Sequence, residues 1–342
     1  MTFVQTKSQL LSMIRMVAVS IACAWALPAL AVDIKIATVA PEGSSWMNQM
    51  RAGAKDIAAR TDGRVKLKFY GGGVMGNDKK VLRKMRIGQL HGGAFTASSL
   101  AERYPDIQLY GLPLLLRTQA EVNHVRAEMD DEIMGGMADA GLVCLGIASG
   151  GFANIMSAEP VRSSDDLSGQ KVWVPEGDAI SYAAMASLGL SPVTLPITDV
   201  LTGLQTGLVD IIGSSPVGAL VLQWHTKVKF ITPVPVSYLY GTLVIEKKVF
   251  DRLSASDQAI VREVMAGVYA NFEKENVTDD EKALAAMLKG GIELIEPAPG
   301  LVDGWSRQAR EVRARLASEG VYSADRLARI DSLLADYRAA NP

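Results

Sequence analysis

From Val32 onward the apolar positions switch between a period of two and a period of three to four, the repeats of strands and helices respectively. In DIKIATVAPEG, Ile34 and Ile36 share a face and Pro-Glu-Gly closes the run, which predicts a strand ending in a turn. Ser44 or Ser45 then caps a helix running to about Arg60, with Met47, Met50, Ala54 and Ile57 as its apolar stripe. Arg64 to Tyr70 returns to period two, with Val65, Leu67 and Phe69 opposite Lys66 and Lys68, so a strand with one buried face is expected. After a glycine loop come a helix over about 78–87, strand-like LHGGAFTA, an amphipathic helix over about 119–140, and strand-like LVCLGIAS and KVWVP. Helices at about 178–188 and 198–206 flank SPVTLP, and LVDIIGSSP follows them. Such alternation predicts an α/β fold with largely parallel sheets covered by helices on both faces.

Ser254 stands three residues before Asp257, the spacing of a capping box, and opens a helical run to about Lys289. At 1.5 Å per residue that helix extends about 50 Å, long enough to brace two lobes. Two further helices, at about 303–318 and 324–339, close the chain.

Composition narrows the function classes. The 342 residues carry 35 basic and 37 acidic side chains, a formal charge of −2, so no broad basic field attracts nucleic acid. Lys7 and Arg15 precede an apolar stretch at residues 16–27, and Ala29-Leu30-Ala31 follows, which reads as a secretory signal over residues 1–31 cleaved after about Ala31. The mature chain is then expected in the periplasm, with Cys144 as its one cysteine and no internal disulfide.

Catalytic chemistry finds no foothold. Gly71-Gly72-Gly73-Val74-Met75-Gly76 fits G-x-G-x-x-G between a strand and a helix, but the next strand supplies no acidic residue for a ribose. Asn77 and Asp78 stand where a phosphate-binding loop needs Lys and Ser or Thr, so a plain turn is expected there. His91, His124 and His225 lack ligand spacing, and neither Ser149 nor Ser215 sits in G-x-S-x-G. No catalytic residue, metal or cofactor is assigned.

Several segments taken in order resemble the extracytoplasmic solute receptors of TRAP transporters, the DctP-type family. The resemblance spans residues 33–335 and is strongest in DDLSGQKVWVPEGDAISYAAMASLGLSPVTLPITDVLTGLQTGLVDIIGSSP, with RTDGRVKLKFYGGGVMGNDKKVLRKMRIGQLHGG and GLPLLL before it. It implies a two-lobe periplasmic solute-binding protein fold with hinge strands and a long helix spanning both lobes. The expected divisions are lobe I over 32–153, lobe II over 154–239, a return to lobe I over 240–255, and the long helix with the C-terminal helices over 256–342. It further implies capture of a small organic acid or related metabolite by cleft closure, and delivery to integral membrane subunits driven by an ion gradient. A ligand-sensing partner of a membrane signalling protein and an exported enzyme are the alternatives.

The resemblance also shows where this chain departs. An Arg that commonly holds the solute carboxylate falls at Trp173, a second falls at Ala153 after Gly151-Phe152, and the family's Asn falls at Ser214 or Ser215. Lys79, Lys80 and Arg83 could reach an anion but read as solvated helix charges. By position at strand ends and turns, the expected ligand-binding residues are Trp46, Phe95, Thr96, Ser98, Asn154, Trp173, Pro175, Ile197, Ser214, Ser215, Trp224 and Tyr240. The Trp173 indole is expected to offer its ring face or N–H to the solute, so that Trp173→Arg would change ligand preference more than folding.

Overall fold

A computed structural model describes residues 31–341; the expected signal segment, apart from Ala31, lies outside the described residues. The first lobe starts with β1 (Val32–Ala37), α1 (Ser45–Arg60), β2 (Val65–Tyr70), α2 (Asp78–Arg86), β3 (Gly92–Thr96) and α3 (Gln119–Asp139). A long strand, β4 (Leu142–Ser157), leads into β5 (Trp173–Pro175), α4 (Ala179–Ser187), β6 (Val193–Leu195), α5 (Val200–Thr206), β7 (Ile211–Ser214) and α6 (Pro216–Val221). A second long strand, β8 (Phe230–Glu246), returns, followed by α7 (Ala255–Lys289), β9 (Glu293–Leu294), α8 (Leu301–Ser318) and α9 (Ala324–Ala340). The helix starts are fixed as the spacing predicts: the hydroxyls of Ser44 and Ser254 accept from the backbone N–H of Met47 and Asp257.

The main sheet runs β2-β1-β3-β8-β4-β7, with β9 paired to β8. The expectation of largely parallel sheets needs correction. β1 lies parallel to β2 and β3, but β3–β8, β8–β4 and β4–β7 are antiparallel. The cause is the pair of crossing strands, 16 and 17 residues long, which run out to the second lobe and back. Strand β8 is not among the elements that periodicity predicts, because Pro233 and Pro235 interrupt it. They are accommodated where the pairing shifts: Ile155 pairs with Thr232 but Ala153 with Ser237, so neither proline needs an N–H for the ladder.

The long helix packs on both lobes. Val261, Val264, Met265 and Phe272 enter the core that holds Ile34, Phe69 and Leu243, whereas Met287 joins Trp224, Ile231 and Val200 in the second lobe. Close approach to β4 depends on Gly146, where an added Cβ would lie 2.3 Å from the Tyr269 ring of α7. Among the described residues no helix is long and apolar enough to cross a membrane. Cys144 is buried and has no disulfide partner among the described residues, and burial pushes its thiol up to about 12.

Candidate binding cleft

Strand ends, helix starts and the flank of α7 enclose a cavity of about 590 Å³ between the lobes. Its first-lobe wall comes from the start of α1 and the end of β3, its second-lobe wall from the ends of β5 and β7 and the start of α4, and its floor from the crossing strands. The rims touch. Asn77, whose side-chain oxygen caps α2 by accepting from Lys80 N–H at 3.1 Å, turns its amide nitrogen across the cleft to donate to Glu176 at 3.2 Å. The glycine loop meets the second lobe as well: a Cβ at Gly73 would lie 3.4 Å from Thr198 Cγ2.

Eleven of the twelve expected residues, all but Asn154, line this cavity. Alternation along β4 gives the cavity Ala153 and Ile155, while Asn154 donates to the Phe152 carbonyl at 3.2 Å; its inclusion is corrected on that ground. The eleven differ in what they can still offer. Trp46 stacks on Phe272 with centroids 6.0 Å apart. Thr96 Oγ1 lies 2.9 Å from Ser99 Oγ and 3.3 Å from Ser98 Oγ, Pro175 and Ile197 are partly exposed, and Phe95 and Trp224 are buried in the cores. Ser214 donates to the Ser215 carbonyl at 3.0 Å, and Ser215 caps α6 by accepting from Gly218 N–H at 3.2 Å. The Tyr240 hydroxyl donates to the Ile107 carbonyl, and its ring stacks on Tyr238.

Trp173 is both wall and core. Only 7% exposed, it packs edge-on against Trp224, with centroids 5.2 Å apart, and its indole N–H donates to the Leu195 carbonyl of β6 at 3.0 Å. The indole N–H is thus already committed to the protein. Ala153, the second position where the resemblance expects a cation, also lines the cavity. Lys79, Lys80 and Arg83 stay exposed and outside it.

Residues that sequence reasoning passed over supply the polar chemistry. Asp178 caps α4, accepting from the N–H and hydroxyl of Ser181 at 2.8 and 2.7 Å; Asp78, at the start of α2, accepts from Ser99 Oγ at 2.6 Å. Both line the cavity, and burial pushes both carboxyls above their ordinary range. The D-x-x-S spacing at Asp178 is a readable cap signal, whereas its exposure to a cleft is not. Among the described residues no group of three His, Cys, Asp or Glu is placed to hold a metal ion.

The raised carboxyl of Asp178 has a measurable consequence. Unfolded, it loses its proton near 3.8; folded, it keeps the proton to higher pH, so its contribution to stability falls as pH rises from 3.8 through the raised value. Asp178→Asn keeps the cap and removes the desolvated charge. The solute-free variant is therefore expected to melt above the parent chain at pH 7 and to lose that advantage below about pH 4, as read by thermal unfolding across pH. An unchanged difference at both pH values contradicts it.

Comparison with known proteins places this geometry. The family model for bacterial extracellular solute-binding protein, family 7, matches residues 36–319. The 2,3-diketo-L-gulonate-binding periplasmic protein YiaO of Escherichia coli is 25% identical over 287 residues, covering 81% of this chain and 84% of that protein. The C4-dicarboxylate-binding periplasmic protein DctP of Rhodobacter capsulatus is 26% identical over 286 residues, covering 80% and 83%. A TRAP periplasmic solute-binding protein of Bradyrhizobium sp., solved in complex with α/β-D-galacturonate, superposes with a TM-score of 0.80 at 26% identity, covering 88% of this chain and 99% of that one.

Proposed function

Because the chain belongs to the bacterial extracellular solute-binding proteins of family 7, we propose that it is the periplasmic receptor of a TRAP-type, ion-gradient-driven uptake transporter. It captures one small organic solute between its lobes and hands it to integral membrane subunits. The observation that carries this reading is the cavity of about 590 Å³ bounded by both lobes and by α7, lined by the strand ends at which open α/β sheets bind ligands. We take the lobes to divide near Ala153 on β4 and near Leu239 on β8. There β4 begins to pair with β7, at Asn154, and β8 takes up β3, at Gly241.

A solute in this position touches both walls and stabilises the closed arrangement by its differential affinity for it, which presents a joint surface to the membrane partner. The Asn77–Glu176 hydrogen bond is one contact that closure forms. The three ligands named for the relatives above are organic acids, which makes acids the first compounds to try. The mature chain, unfolded and refolded to strip carried-over solute, is expected to bind at least one compound of a broad metabolite panel saturably, with a rise in melting temperature. The absence of any saturable binder in a panel of acids, amines, osmolytes and aromatic metabolites contradicts the reading.

A further inference from the structure

We infer that the cleft selects a small organic cation, an amine with an aromatic body, whose ammonium group lies against the Asp178 carboxylate. The inference rests on the receptor reading above and narrows its solute class. Among the described residues that line the cavity there is no Lys, Arg or His, while Asp78, Asp178, Glu275 and Asp279 all line it. A solute carboxylate would enter a desolvated space of like charge with no cation to meet it, an arrangement that costs free energy on both sides. An ammonium group turns the Coulomb repulsion into attraction, which offsets the desolvation that either head group must meet.

The two most enclosed carboxylates are not equivalent. Asp78 is held on the first lobe by Ser99 Oγ. Among the described residues Asp178 is in no ion pair; its carboxylate accepts from Ser181 N–H, Ser181 Oγ and Ile180 N–H, which leaves lone-pair capacity for a further donor. Burial pushes the Asp178 carboxyl up, and a bound cation opposes that shift. The rings of Trp46 and Trp173 supply apolar area, and aromatic faces attract a cation.

The test uses one body with three head groups. Phenethylamine, phenethyl alcohol and 3-phenylpropionate are titrated calorimetrically into the stripped, refolded mature chain at pH 7, beside succinate and D-galacturonate. The amine is expected to bind tightest, about tenfold or more above 3-phenylpropionate. Asp178→Asn, which retains the Ser181 cap and is checked for folding by its melting curve, is expected to bring that ratio near one. Saturable binding of the acids with weaker or no binding of the amine overturns the inference and leaves the receptor reading standing. An amine preference that survives Asp178→Asn overturns the anchor. Failure of all five compounds overturns the inference, and failure of the broad metabolite panel overturns the receptor reading with it.

Discussion

Replacing Arg126 with Met is expected to lower the stability of the folded chain by about 3 kcal/mol or more, read from urea unfolding of the mature protein. The guanidinium, its side chain 12% exposed, sits where α3, α7 and the crossing strands meet. It donates to Asp130 at 3.0 Å, to Glu273 of α7 at 2.7 Å, to the Ile147 carbonyl at 3.0 Å and to the Tyr238 hydroxyl at 3.3 Å. Burial alone would lower its pKa, but Tyr238, Asp130 and Glu273 outweigh burial and hold it above its ordinary value. Glu273 in turn accepts from Ser149 N–H at 3.1 Å, on the β4 segment that forms the cavity floor. Met fills similar volume, but it strands Asp130 and Glu273, 25% and 30% exposed, without their cation. Breaking such a pair from one side is the costly direction. A loss below about 1 kcal/mol would show that water takes over the role of the guanidinium.

The second large effect is at Trp173. Truncation to Ala is expected to cost about 3 kcal/mol, the lower end for a buried Trp, because one side of the ring borders the cleft rather than packed atoms. The substitution removes the edge-on partner of Trp224 and one of the two donors to the Leu195 carbonyl, which keeps only the Glu176 N–H at 3.1 Å. This revises the expectation that Trp173→Arg would alter ligand preference more than folding: a guanidinium at this site must also leave the second-lobe core. Trp173→Arg is therefore expected to destabilise first. Comparison of urea midpoints for wild type, Trp173→Ala and Trp173→Arg checks this, and equal midpoints would return Trp173 to the role of a simple wall residue.

How far the sequence could be read follows from where each determinant lies. Local ones were legible. Ser44, Ser254 and Asp257 act within one helical turn, and Val65, Leu67 and Phe69 alternate within one strand, so those elements stand where the pattern predicts. The crossing strand β8 was not legible, because Pro233 and Pro235 break its pattern and the shift in register that accommodates them involves Ala153 and Ile155, some eighty residues away.

The cleft shows the same division. Strand-end position was enough to bring eleven of the twelve expected residues to one cavity, but it could not say which of their polar atoms remain free. Trp173 spends its N–H on Leu195, 22 residues further on, and Tyr240 spends its hydroxyl on Ile107, 133 residues back. Nor could position show that, among the described residues, four carboxylates and no cation share the lining, since that requires all the walls at once.

The central claim is that this chain holds one unaltered small organic solute in the cleft between its lobes. The most direct measurement is mass spectrometry of the compound released when the natively purified mature chain is denatured, followed by calorimetric titration of that compound into the stripped, refolded protein. The account predicts one dominant small molecule that rebinds saturably, one per chain, and is recovered unchanged. Release of no compound together with no binding, or recovery of a chemically altered product, contradicts it.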